Sequence, residues 1–137
     1  MKLRWFVILS LLLVCFGFSY ASAESSEIPS LVGSWVGHSV GHFAEGGFIN
    51  ETTFNYEFVV TEQEGRGFTG TLYETGIHGN NTYGFSGVIA HDMTTLYIAD
   101  QDKGYNTGHL VSADEMELIL LVDGEESFAE ACTLKKM

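Results

Sequence analysis

From Val32 to Leu134, apolar residues alternate with polar ones more often than they recur at helical spacing. Turn-forming residues break this alternation about every ten residues, the rhythm of an all-β sandwich or barrel. Eight strand-like runs emerge, at 32–43, 52–61, 68–74, 83–90, 94–99, 105–111, 116–122 and 127–134. "AEGGFIN" (44–50), "EQEGRG" (62–67), "TGIHGNN" (75–81) and "DQDKG" (100–104) read as loops, and Asp123-Gly124 is a hairpin signal. No window predicts a helix. Short links favour antiparallel neighbours, because parallel pairs need long crossovers. The pattern therefore predicts an all-β fold, an eight-stranded antiparallel up-and-down barrel, with a Greek-key sandwich as the alternative. Closure removes the exposed edges.

Alternation also assigns faces. In "LVGSWVGHSVGHF" (31–43), Trp35, Gly37, Ser39, Gly41 and Phe43 share one face, with His38, Val40 and His42 on the other. A Trp followed by small residues suits the inside of a narrow barrel, and Trp35 is expected to be its buried plug. Phe54, Tyr56, Phe58 and Val60 line one face of the second run, and Tyr83, Phe85, Gly87 and Ile89 one face of the fourth. In the last run Phe128, Glu130, Cys132 and Leu134 fall together, which places the Cys132 thiol in the core. Ile119, Leu121 and Val59 fall on outward faces, a pattern that suits a subunit interface and a homo-oligomer.

The residues before Leu31 change the picture of where the protein works. Lys2 and Arg4 precede an apolar run from Trp5 to Phe18, and Ala21-Ser22-Ala23 forms an A-x-A cleavage site. This is the anatomy of a secretory signal peptide over 1–23, which predicts a secreted protein without stable membrane insertion after cleavage. Residues 24–30 read as a mobile polar lead-in, and 31–137 as one barrel domain. Cleavage leaves four basic residues (Arg66, Lys103, Lys135 and Lys136) against eighteen acidic ones, a net charge of −14. Such a surface repels phosphates, which excludes nucleic acid as a partner, and it attracts cations. Cys132 is the one cysteine after residue 23, so no intramolecular disulfide forms.

Candidate chemistry is sparse. His38 and His42 share a face but lie roughly 13 Å apart along a strand, too far to chelate one ion. His78, His91 and His109 stand in no H-x-H or H-E-x-x-H spacing. The sequence names no catalytic residue, no metal ligand and no cofactor. An isomerase or cyclase would need a buried acid or base, and Glu74 or His109 would have to supply it. Asn50 and Asn80 each open a glycosylation sequon.

Gly33-Ser34-Trp35 at the head of the first strand resembles the G-x-W signature of the calycins, the superfamily of lipocalins, fatty-acid-binding proteins and avidins. "GFTGTLYET" (67–75) is similar to the third strand of avidin-type barrels. The resemblance implies a barrel closed at one end by Trp35, with ligands entering at the other. The departures are a lack of any C-terminal helix pattern, of the usual disulfide, and of the several Trp that line a biotin site. Only the fold and the end-closing Trp35 are therefore carried over. Two main functions stay open. In one, the lumen binds a small hydrophobic or amphiphilic ligand, with Tyr56, Tyr83, Phe85 and His109 as candidate contacts. In the other, a filled barrel acts as an extracellular structural or interaction domain.

Overall fold

The computed structural model describes residues 27–50, 53–76, 79–101, 104–125 and 127–137. The expected signal peptide, His78, Lys103 and two residues of the first sequon, Glu51 and Thr52, lie outside them. The strands are β1 (Gly33–Phe43), β2 (Gly47–Ile49), β3 (Phe54–Glu64), β4 (Gly67–Gly76), β5 (Gly79–Ile89), β6 (Thr95–Asp100), β7 (Tyr105–Leu110), β8 (Glu115–Val122) and β9 (Phe128–Lys136). β1 and β3 to β9 pair antiparallel in sequence order, and β1 pairs with β9 to close an eight-stranded barrel. All eight expected strands are present, and the described residues contain no helix.

Three expected loops differ. "AEGGFIN" contains the extra strand β2, which folds back on the end of β1 where β1 no longer touches β3. "EQEGRG" is a tight turn at Gly65-Arg66, and strand pairing runs on through Glu64↔Gly67. "TGIHGNN" likewise carries pairing to Gly76↔Gly79. Glycines with positive φ at 47, 65 and 79 make these reversals, a conformation that side-chain-bearing residues avoid. Polar strand ends around the turns looked like loop because nothing there is buried. The link between β5 and β6 is held by Asp92, whose carboxylate accepts hydrogen bonds from the Thr95 hydroxyl and from the Thr94 and Thr95 amides. Those bonds hold its carboxyl well below the usual range, the Thr95 hydroxyl contributing most.

A bulge in β3 between Val60 and Glu62 shifts the strand's parity. Val60 and, after the bulge, Gln63 therefore face the same side. Gln63 Nε2–H donates to Pro29 O at 2.9 Å and Gln63 Oε1 accepts from Leu31 N at 2.8 Å. Lys136 Nζ donates to Ser30 O. Residues 29 and 30, expected at the end of a mobile lead-in, are thus fastened across one end of the barrel. Beneath them Leu31 and Trp35 are fully buried. Trp35 Nε1–H donates to Leu31 O at 2.8 Å, and the Lys136 ammonium sits 5.0 Å from the Trp35 ring centroid.

Above this plug, large rings stack where glycines leave room. Phe58 and Phe85 stack face to face with centroids 4.0 Å apart, and Phe68 meets Phe85 edge-on at 6.2 Å. A methyl group placed on Gly70 would sit 2.7 Å from Phe85 Cζ, and one on Gly87 would collide with the Phe68 ring.

Trp35→Ala is expected to lower stability by about 3–5 kcal/mol, the usual cost of deleting a large core aromatic. Chemical denaturation followed by circular dichroism measures it; an unchanged midpoint would refute the plug role.

Candidate functional site

Midway up the lumen the core stops being apolar. Inward alternation brings Ser39 (β1), Tyr56 (β3), Glu74 (β4), Glu130 and Cys132 (β9) to one level. Ser39 pairs with Cys132 across β1 and β9, and Tyr56 with Glu74 across β3 and β4. The Tyr56 hydroxyl donates to Glu130 Oε2 at 2.8 Å. Asn81 Nδ2 donates to Glu74 Oε1 at 3.0 Å. Glu130 is only 3% exposed, although carboxylates are almost never so buried without a charge partner. Burial, and to a lesser degree the Glu74 charge, push its carboxyl above the ordinary range. Burial likewise raises the Tyr56 hydroxyl and the Cys132 thiol, with the Glu130 charge adding to both. Ser39 Oγ is enclosed beside Glu130 and Cys132 and completes no hydrogen bond of good geometry.

On the mouth side of this layer Phe43 stacks on Phe128, with centroids 4.7 Å apart, and leans on Phe54 at 5.8 Å. These rings cover the end opposite Trp35. At the end of β6, Asp100 accepts from Gly104 N and Asn106 Nδ2. The space between Tyr56, Phe85, Asp100, Asn106, Leu118 and Cys132 lets the centre of a water-sized sphere roam over only about 10 Å³. That is room for about one water.

The candidate ligand contacts divide. Tyr56 and Phe85 are buried and border this space. Tyr83 is half-buried and packs on the edge of the core. His109 does not join them. On β7 the inward residues are Asn106, Gly108 and Leu110, so His109 is exposed on the outside, opposite Thr95 and Glu117. The placement of His109 in the lumen is corrected by this parity, and with it its use as a lumen acid or base. Sequence reasoning passed over Ser39 and Glu130 as functional residues. Their signal was a polar residue repeated at inward positions of strands otherwise apolar.

The outside carries a second feature. One hydrogen-bonded row runs round the barrel through Val40, Ala131, Ile119, Thr107, Tyr97 and Val88. The next row towards the mouth holds His42, Ala129 and Leu121 on β1, β9 and β8, and Tyr105, Ala99 and Ser86 on β7, β6 and β5. Phe48 on β2 stands edge-on to His42 at 4.7 Å and is 89% exposed; Tyr105 is 82% exposed. None of these residues is acidic, in a chain with eighteen Asp and Glu. The row on the far side, His38, Thr133, Glu117, His109 and Thr95, is polar, and beyond it Lys135 pairs with Glu115.

No protein-family model matches the chain, and no curated protein or solved structure matches it.

Two measurements test the lumen layer. Glu130 binds its proton more tightly in the folded than in the unfolded state. Its contribution to stability is therefore full below pH 4.5 and is lost as pH rises from there through the folded pKa. The slope cannot exceed about 1.4 kcal/mol per pH unit for one proton. Glu130→Gln is expected to remove that slope and to be more stable than wild type at pH 8, relative to their difference at pH 4. Urea titrations at several pH values read this, and parallel stability–pH curves would refute it. In the native protein the Cys132 thiol is expected to label slowly with a thiol reagent and rapidly in denaturant; fast native labelling would overturn its burial.

Proposed function

We propose that this protein is a filled, secreted β-barrel that works through its outer wall, as an interaction domain that associates with a second copy of itself. The observation that carries this reading is the acid-free apolar belt on a barrel whose enclosed space beside Tyr56 and Phe85 admits about one water. A chain of net charge −12 repels its own surface almost everywhere. Two copies meet without like-charge contact where carboxylates are missing, and the belt is such a place. On the adjacent strands β1, β9 and β8, about as much as one partner can face, the two rows of outward side chains cover on the order of 200 Å² at strand and residue spacings. That is the scale of the dry centre of an interface of about 800 Å² per partner. The rim favours a second copy over a foreign partner. It holds Glu115 and Glu117 beside Lys135, His38 and His109, both signs together, and such a rim can complement itself across a two-fold axis.

The calycin resemblance supports a second reading, in which the lumen takes a small ligand at the end away from Trp35. The up-and-down order of the strands and Gly33-Ser34-Trp35 favour it, and so does the polar layer under the mouth.

Native mass spectrometry and sedimentation of the wild type are expected to report a dimer or higher closed oligomer. Ile119→Lys, at the centre of the belt, is expected to give a folded monomer. A wild type that stays monomeric at high concentration, or an Ile119→Lys variant of unchanged oligomeric mass, would overturn the self-association.

A further inference from the structure

The belt leaves the interior layer unexplained. Glu74 and Glu130 face into the barrel with Tyr56 and Cys132, yet no described Lys, Arg or His faces them. Arg66 donates to Ile89 O at the closed end, and Lys136 lies over Trp35. Lys135 is on the outer face of β9, His38, His91 and His109 are exposed, and His42 packs on Phe48 outside the wall. Tyr56 engages one oxygen of Glu130 and Asn81 one oxygen of Glu74, and the Ser39 hydroxyl lies against the Glu130 carboxyl and lowers its pKa. Between β1 and β9 the fully buried Ser39 hydroxyl lacks a completed hydrogen bond. An enclosed, unsatisfied hydroxyl is costly unless something else bonds it. The small space in the core borders this layer through Tyr56 and Cys132.

We propose that the Ser39–Tyr56–Glu74–Glu130 layer, beneath the Phe43, Phe54 and Phe128 rings, is a binding site for the ammonium head of a primary alkylamine. The inference goes beyond the outer-wall reading and is independent of it. An alkylammonium head is about the size of a water and carries three N–H donors. The layer offers three acceptors for them: the second oxygens of Glu74 and Glu130, and Ser39 Oγ. The head supplies the positive charge that the two carboxylates lack, and ionised Glu130 is then stabilised instead of isolated. The short alkyl tail passes out between the mouth phenylalanines. Phe43 and Phe128 are only partly buried, so they can turn aside. The chain's negative charge draws cations towards the barrel from solution.

The experiment titrates the purified protein at pH 7 with n-hexylammonium chloride, 1-hexanol and sodium hexanoate, using calorimetry and thermal shift. Hexylammonium is expected to bind saturably and to raise the melting temperature, and the alcohol and the carboxylate are not. Glu130→Gln is expected to weaken binding at least tenfold while keeping the wild-type circular dichroism. If that variant does not fold, Glu74→Gln is read in its place, with the same expectation. Ile119→Lys is expected to bind hexylammonium as the wild type does, so loss of self-association and loss of the amine site are separable. No saturable binding by the wild type, equal binding of hexanol, or undiminished binding by the folded layer variant would each overturn the proposal.

Discussion

The inside of an eight-stranded barrel is narrow, and each large side chain in it must face a small one. Eight strands leave a lumen that side chains just fill. Phe85 lies flat only because Gly70 stands opposite it, Phe68 because of Gly87, and Phe54 because of Gly76. On β1 the residues between Trp35 and Phe43 that point inward are Gly37, Ser39 and Gly41, and adding a methyl group at either glycine would drive it into the backbone of β9. β1 and β9 therefore approach as closely as closure of the sheet demands. The glycines are where the wall bends, and the aromatic rings are what it bends around.

The same narrowness makes the polar layer conspicuous. A wide barrel could hydrate Glu130 with several waters; here the enclosed space beside Tyr56 and Cys132 admits about one, and Glu130 does not line it. The carboxyl is left with the Ser39 and Tyr56 hydroxyls beside it and the Glu74 charge as an opponent. Desolvation of that kind disfavours the charged form, so the layer either holds a proton or meets a cation. A purely structural core would have gained stability from an apolar residue at this position. The presence of two carboxylates, a phenol and an unsatisfied hydroxyl at one level is hard to account for by packing alone.

How much of this could be read in the sequence depended on which residues carry period two. Strand number, antiparallel order and the inward set of β1, β3, β5 and β9 were legible, because burial of every second residue writes itself directly into hydropathy. The burial of Trp35 was legible from its place ahead of small residues. β2 was not, since three residues are too few to show a period and only Ile49 reaches the edge of the core. The strand pairing that runs on to Glu64↔Gly67 and Gly76↔Gly79 was hidden because exposed strand ends have the composition of loops. The parity of β7 was misjudged at His109, where Asn106 and Gly108 are the inward residues and neither is apolar in side chain. The β3 bulge was invisible for a related reason: Gln63 is polar on an inward position, and only its bonds to Pro29 and Leu31 explain it.

Outer belt and inner layer meet on the same two strands. β1 carries Ser39 inward and Val40 outward; β9 carries Glu130 and Cys132 inward and Ala129 and Ala131 outward. A partner pressed on the outward row would hold β1 and β9 in place, and these strands form the wall beside Glu130. Their close contact leaves no slack, because Gly37 and Gly41 already bring the two backbones together. Entry of a guest into the layer must then come from rotation of the mouth rings and not from separation of the strands. Self-association and interior binding would draw on different degrees of freedom, a rigid β1–β9 face for one and side-chain rotation at Phe43, Phe54 and Phe128 for the other. That separation is why an outer-wall substitution at Ile119, on β8 and pointing away from the lumen, can remove the first and leave the second intact.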